Sequence, residues 1–216
     1  LNVNNISIDI FTRTSSLSHS HVDSIKCFFR RILSDIKYDS NCKKFQFVLV
    51  PYHGDRCEKY GMAFGNYAVF DENFKYKDMF HEFLHMFLNY NVVDGSSGEF
   101  FMKESIIEWL ACYYSNFEDP VRKKIYYNKN NLYNLHHNGN NEEEYGVVYN
   151  NGLAILNIVA RKCTKEKLAD CILSYINSSK SRFVTYDDFL NYAKKKIDPD
   201  FLKKMDLMVK GKMKIL

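Results

Sequence analysis

The sequence predicts an α+β fold, with strands gathered towards the front of the chain and helices behind. Two periodicities carry that expectation. Up to about residue 76, apolar residues alternate or sit in short runs suited to strands, around one helical segment; from about Lys77 onward they recur every three or four positions, as on one face of a helix. The composition supports a packed chain. Of 216 residues 46% are hydrophobic, and only 3 are Pro and 9 Gly, which suits a buried core rather than disorder. The reading is one domain over 1–216, with a strand-rich lobe over 1–76 and a helical lobe over 77–216.

Taken in order, Ile6, Ile8 and Ile10 alternate with Ser7 and Asp9, the pattern of a half-buried strand. Val22, Ile25, Phe28, Phe29, Ile32 and Ile36 then recur at helical spacing. KFQFVLVP, from Lys44 to Pro51, reads as a short buried strand ended by proline. NYAVFD, from Asn66 to Asp71, reads as another. Met79, Phe80, Phe83, Leu84, Phe87 and Leu88 mark one helix, and Ile106, Ile107, Leu110 and Tyr114 a second. VVDGSSGEF between them is a turn-rich connector. The Asn-rich stretch from Asn128 to Glu144 predicts an exposed loop. Helical patterns resume over 149–160, 165–176, 186–196 and 200–208.

Composition also narrows the partners. The net charge is +4, and the lysines at 194–196 and 203–214 suit a solvated face. No aromatic-and-basic signature accompanies them, so no nucleic acid is expected. No apolar run approaches the ~20 residues of a membrane span. The six cysteines form no C-x-x-C pair, which argues against a cysteine-based zinc or redox motif. The oligomeric state is left open.

The stretch His81-Glu82-Phe83-Leu84-His85 carries chemistry. On a helix His81 and His85 lie one turn apart on one face and can reach one metal ion, while Glu82 is turned aside and can take a proton from water. The alternative is an amphipathic helix with two incidental histidines. Two ligands are also too few for a catalytic zinc, which usually has three. The helix from Met102 to Ser115 offers Glu104 and Glu108, and 18 residues separate His85 from Glu104. That spacing lets one helix end and a second pass alongside it, with Glu104 as third ligand. Glu108, one turn later, could hold the far nitrogen of a ligating imidazole. The alternative for both acids is a solvated helix face.

With those residues in place, the chain resembles the gluzincin metallopeptidases, specifically the aminopeptidase N and leukotriene A4 hydrolase family, whose pattern is HExxH, 18 residues, then Glu. The family's Tyr-x-x-Gly box is matched by Tyr149-Asn150-Asn151-Gly152. The resemblance implies a thermolysin-like zincin catalytic domain, with the active-site cleft between the two lobes, one Zn²⁺ and a peptide or protein substrate. It implies that Tyr149 donates to the developing oxyanion, with Tyr145 in reserve. It also implies a substrate-aligning edge segment, here Gly61, Met62, Ala63 and Phe64. There Ala63 stands where the family has a glutamate that binds the substrate's amino terminus. Glu72 or Glu99 could substitute for it. The sequence therefore leaves open an aminopeptidase, an endopeptidase, and a zinc-binding pseudopeptidase that captures peptides uncut. A different zinc hydrolase and a metal-free helical interaction domain complete the alternatives.

Overall fold

A computed structural model describes residues 2–3, 6–12, 19–35, 44–50, 62–71, 76–88, 91–115, 131–135, 144, 146–179 and 182–215. The chain divides into two compact units, Leu1–Leu88 with Tyr114–Phe117, and Asn89–Tyr113 with Glu118–Leu216.

The first unit is built on a five-stranded mixed sheet. Its strands are β1 (Asn2–Val3), β2 (Ile6–Thr12), β3 (Lys44–Val50), β4 (Met62–Phe64) and β5 (Tyr67–Asp71), in the order β1-β2-β3-β5-β4. The central pairs β2–β3 and β3–β5 are parallel and the outer pairs antiparallel. Parallel neighbours need a crossover, and helix α1 (His19–Asp35) lies in the chain between β2 and β3. This is why the helical periodicity of the front segment sits among strands. β4 and β5 form a tight hairpin, with Phe64 opposite Tyr67. Gly65 takes φ +59 at the first turn position, a left-handed backbone that two-residue hairpins place on glycine.

The alternation expected of β3 is present: Phe45, Phe47 and Leu49 are buried, while Gln46, Val48 and Val50 are partly open. Helix α2 (Tyr76–Leu88) belongs to the same core. Phe83 is fully buried, with ring centroids 4.4 Å from Phe29 and 5.2 Å from Phe45. Such edge-to-face rings are a favourable aromatic geometry. Tyr114 closes this unit against α1: its hydroxyl donates to Asp35 at 3.0 Å, and Arg31 donates to its carbonyl at 3.3 Å.

The second unit is mainly helical. It comprises β6 (Asn91–Val92), most of α3 (Ile106–Ser115), α4 (Gly152–Cys163), α5 (Lys165–Ser178), β7 (Phe183–Val184), α6 (Tyr186–Ala193) and α7 (Pro199–Val209). β6 and β7 pair in parallel. The helix starts follow sequence signals. Thr185 and Asp188 form a reciprocal capping box, and Asp198 caps a helix that opens on Pro199. The indole of Trp109 donates to Asn157 at 3.0 Å, tying α3 to α4.

One expectation changes here. Within the Asn-rich segment Leu132 is fully buried, and the Tyr133 amide donates to Val209 at 3.0 Å. An isolated Leu-Tyr pair in polar sequence is too short for any periodicity to reveal, yet it can dock on a neighbouring helix.

Candidate metal centre

α2 presents its chemistry and its packing from the same five residues. Met79, Phe80, Phe83, Leu84, Phe87 and Leu88 are all buried and fix the helix's rotation. His81, itself buried, and half-buried His85 are then held on a common face. Their Nε2 atoms stand 2.9 Å apart, one ring N–H donating to the other ring. The rings cross at 70° with centroids 4.6 Å apart. Tetrahedral ligands at zinc–nitrogen distances stand roughly 3.3 Å apart, so the pair needs only a small opening to share an ion. Half-buried Glu82 is about a quarter-turn away round the helix.

In the second unit, the element carrying Glu104 departs from the regular helix expected over Met102–Ser115. Phe101–Ser105 forms a wide π turn, in which the Ile106 amide donates to the Phe101 carbonyl five residues back. A second wide turn, Val147–Asn151, carries Tyr149 and closes through the Gly152 amide on Val147. Inserted π turns are frequent at functional sites, because the extra residue re-aims the side chains around it. Here the two turns bring their chemistry together: the Tyr149 hydroxyl donates to Glu104 Oε2 at 2.8 Å. Glu108 is buried on α3, 1% exposed, which rules out the solvated-face alternative for it.

His81, His85 and Glu104 each offer a ligand atom, and these atoms all lie within 4.8 Å of one another, a candidate metal site. Among the described residues it is the one such group of histidine, cysteine and acidic side chains. The donor set fits zinc: two imidazole nitrogens and one carboxylate oxygen form a common catalytic set, with a fourth position for water. The phenol donating to Glu104 leaves that carboxylate an acceptor, as a metal ligand must be.

The remaining expectations fall as follows. Gly61, Glu72 and Tyr145 lie outside the described residues, as do His136 and His137. Met62, Ala63 and Phe64 form edge strand β4, with Ala63 opposite Ala68. Phe64 and Tyr67 are exposed and stack with centroids 5.3 Å apart. Glu99 is already engaged: its carboxylate accepts from the Gly95 amide at 2.6 Å and from Lys103 at 2.5 Å. Lys103 also reaches Asp94 at 2.6 Å. The wide turns and Ser105, discussed below, were missed by helical periodicity. A buried serine inside an apolar helix was the available signal.

Fold and donor set thus define a mixed α/β chain carrying a candidate three-ligand zinc centre. No family model and no curated protein matches the sequence. Solved structures do match in fold. The M1 zinc metallopeptidase from Deinococcus radiodurans aligns with a TM-score of 0.67 at 14% identity, covering 95% of this chain and 48% of that one. A mutant of it bound to a Tyr-Ser-Ala substrate gives 0.66 at 15% identity, over 93% and 46%. A two-domain M1 zinc metallopeptidase mutant bound to L-arginine gives 0.67 at 14%, over 94% and 48%. The chain spans about half the length of these neighbours, and at this identity the likeness is one of fold.

Proposed function

We propose that this chain is a zinc-dependent metallopeptidase. The observation that carries the reading is the approach of His81, His85 and Glu104 donor atoms to within 4.8 Å of one another. Bound by these three, zinc supplies a Lewis acid that makes water a nucleophile near neutral pH. Glu82, beside the donor pair on α2, takes the proton from the attacking water and returns it to the leaving amine. Tyr149 presents a single O–H donor, held on Glu104, that can exchange that carboxylate for the developing oxyanion. Buried Glu108 is assigned to orient a ligating imidazole.

The substrate is an extended peptide that adds to edge strand β4, whose outer side has no partner strand among the described residues. Cleavage at internal bonds is the favoured mode. A methyl group at Ala63 cannot bind an amino terminus, and the Glu99 carboxylate is occupied by Gly95 and Lys103. The test is elemental analysis of the purified protein together with digestion of a peptide library read by mass spectrometry. One zinc per chain and internal cuts, both cuts lost in Glu82→Gln, support the reading. One-residue trimming from amino termini overturns the internal mode. Zinc-loaded protein that binds peptides uncut, with Glu82→Gln without effect, makes it a capture module. Metal-free protein sinks the proposal.

A further inference from the structure

Ser105 follows the candidate ligand Glu104 and is 0% exposed. Its hydroxyl donates to the carbonyl of Val148 at 2.8 Å, a contact spanning 43 residues. Val148 in turn precedes Tyr149. The two wide turns are thus joined by a buried hydrogen bond placed one residue from each functional side chain. Gly152, which closes the second turn, lies against the same serine. A Cβ on Gly152 would overlap the Oγ and Cβ of Ser105, and would meet Leu132 at 3.5 Å. Gly152 has an ordinary helical backbone, φ −59, so glycine is required there by the close approach and not by conformation.

Neither contact involves substrate or metal, yet together they set the offset between the turns, and that offset sets the Tyr149–Glu104 distance of 2.8 Å. Wide turns are locally adjustable, because their hydrogen-bond register can relax to the ordinary helix. A buried serine bonded to the opposite turn's carbonyl would prevent that slip, since breaking the bond leaves a buried carbonyl without its donor.

We propose that Ser105, seated against Gly152, is a positioning residue that holds Tyr149 in register with Glu104. It acts on catalysis through Tyr149 alone. The proposal rests on the peptidase reading above for its catalytic consequence; the contact itself can be read without it.

The experiment is a pair of double-variant cycles on the full chain. In the stability cycle, Gly152→Ala lowers the urea midpoint sharply, and adding Ser105→Gly restores most of it by removing the overlapping atoms. In the kinetic cycle, Ser105→Ala lowers kcat at least tenfold, with KM within about twofold and zinc content unchanged, since a misplaced donor costs rate rather than binding. In the Tyr149→Phe background, Ser105→Ala has no further effect on kcat. A serine with a merely structural role would lower kcat equally in both backgrounds, or raise KM, and either result overturns the proposal. So does a Gly152→Ala protein as stable as wild type. A wild-type chain that holds no zinc and cuts nothing removes the peptidase reading and the catalytic role with it, while the stability cycle still reports the contact, so the two failures are told apart.

Discussion

Phe83 stands between the glutamate and the second histidine of the metal motif, and its removal has a calculable cost. Its side chain is 0% exposed. Its ring has aromatic neighbours at centroid distances of 4.4 Å (Phe29), 5.0 Å (Phe87), 5.2 Å (Phe45), 6.3 Å (Phe28) and 6.4 Å (Phe47). Burying a Phe side chain and then truncating it to Ala typically costs ~3–5 kcal/mol, including the cavity. With five rings around it, each favourable pairing adding to the area term, Phe83→Ala belongs in the upper half of that range, at about 4–5 kcal/mol. Total stabilities are ~5–15 kcal/mol, so this single change removes a large fraction. With a urea slope of ~2–3 kcal/mol/M, the midpoint falls by about 2 M.

The assay is urea unfolding followed by circular dichroism of the helices. Trp109, the chain's only tryptophan, lies in the other unit, so its fluorescence is the wrong probe. Phe83→Leu, which keeps most of the volume, should cost ~1.5 kcal/mol or less. If Phe83→Ala costs no more than Phe83→Leu at unchanged slope, the aromatic core described for this unit is wrong. The coupling of motif to core would fall with it.

Other measurements address the site. Glu82→Gln should lower kcat by roughly 10²–10⁴ while leaving zinc content intact, as expected of a proton carrier outside the donor set; zinc loss in this variant would contradict that role. Zinc at 100-fold over its Kd should stabilise by ~2.7 kcal/mol, or roughly 5–10 °C in Tm for a chain of this size. Chelation should reverse the gain and Glu104→Gln should largely abolish it; an equal zinc shift in that variant would remove Glu104 from the ligand set. Cys171 is buried in α5, and burial pushes its thiol from the ordinary 9.0 up to about 11. The folded chain therefore keeps this proton longer than the unfolded one. The associated stability is full below pH 9 and is lost as the pH rises towards 11, by ~2–3 kcal/mol. Cys171→Ala should flatten that alkaline decline, and an unchanged pH profile would show that the thiol is not responsible.

The strands and helices were legible where burial is periodic. Phe45, Phe47 and Leu49 alternate because one face of β3 meets the core, and α2 repeats every three or four because one stripe does. The histidine pair was legible for the same reason: both nitrogens and both packing residues obey a local helical geometry. The wide turns were not. Periodicity assumes one residue count per turn, and inserting one residue at Phe101–Ser105 or Val147–Asn151 changes where Glu104 and Tyr149 point without altering composition. The Leu132 anchor was hidden by its polar surroundings. The engagement of Glu99 was hidden by its partners' spacing, since the Gly95 amide and the Asp94–Lys103 pair are joined to it through folded geometry.

By itself the sequence determined what repeats locally: the helical placement of His81 and His85, the packing role of Phe83 between them, and a glutamate 18 residues on. Those follow from bonded geometry and burial, which act over a turn or a strand. The tertiary structure decided what depends on distant segments meeting, namely the Tyr149 hydroxyl on Glu104 and the Ser105 hydroxyl on Val148. Contacts across more than forty residues are selected by the packing of the whole unit, and no local pattern encodes them.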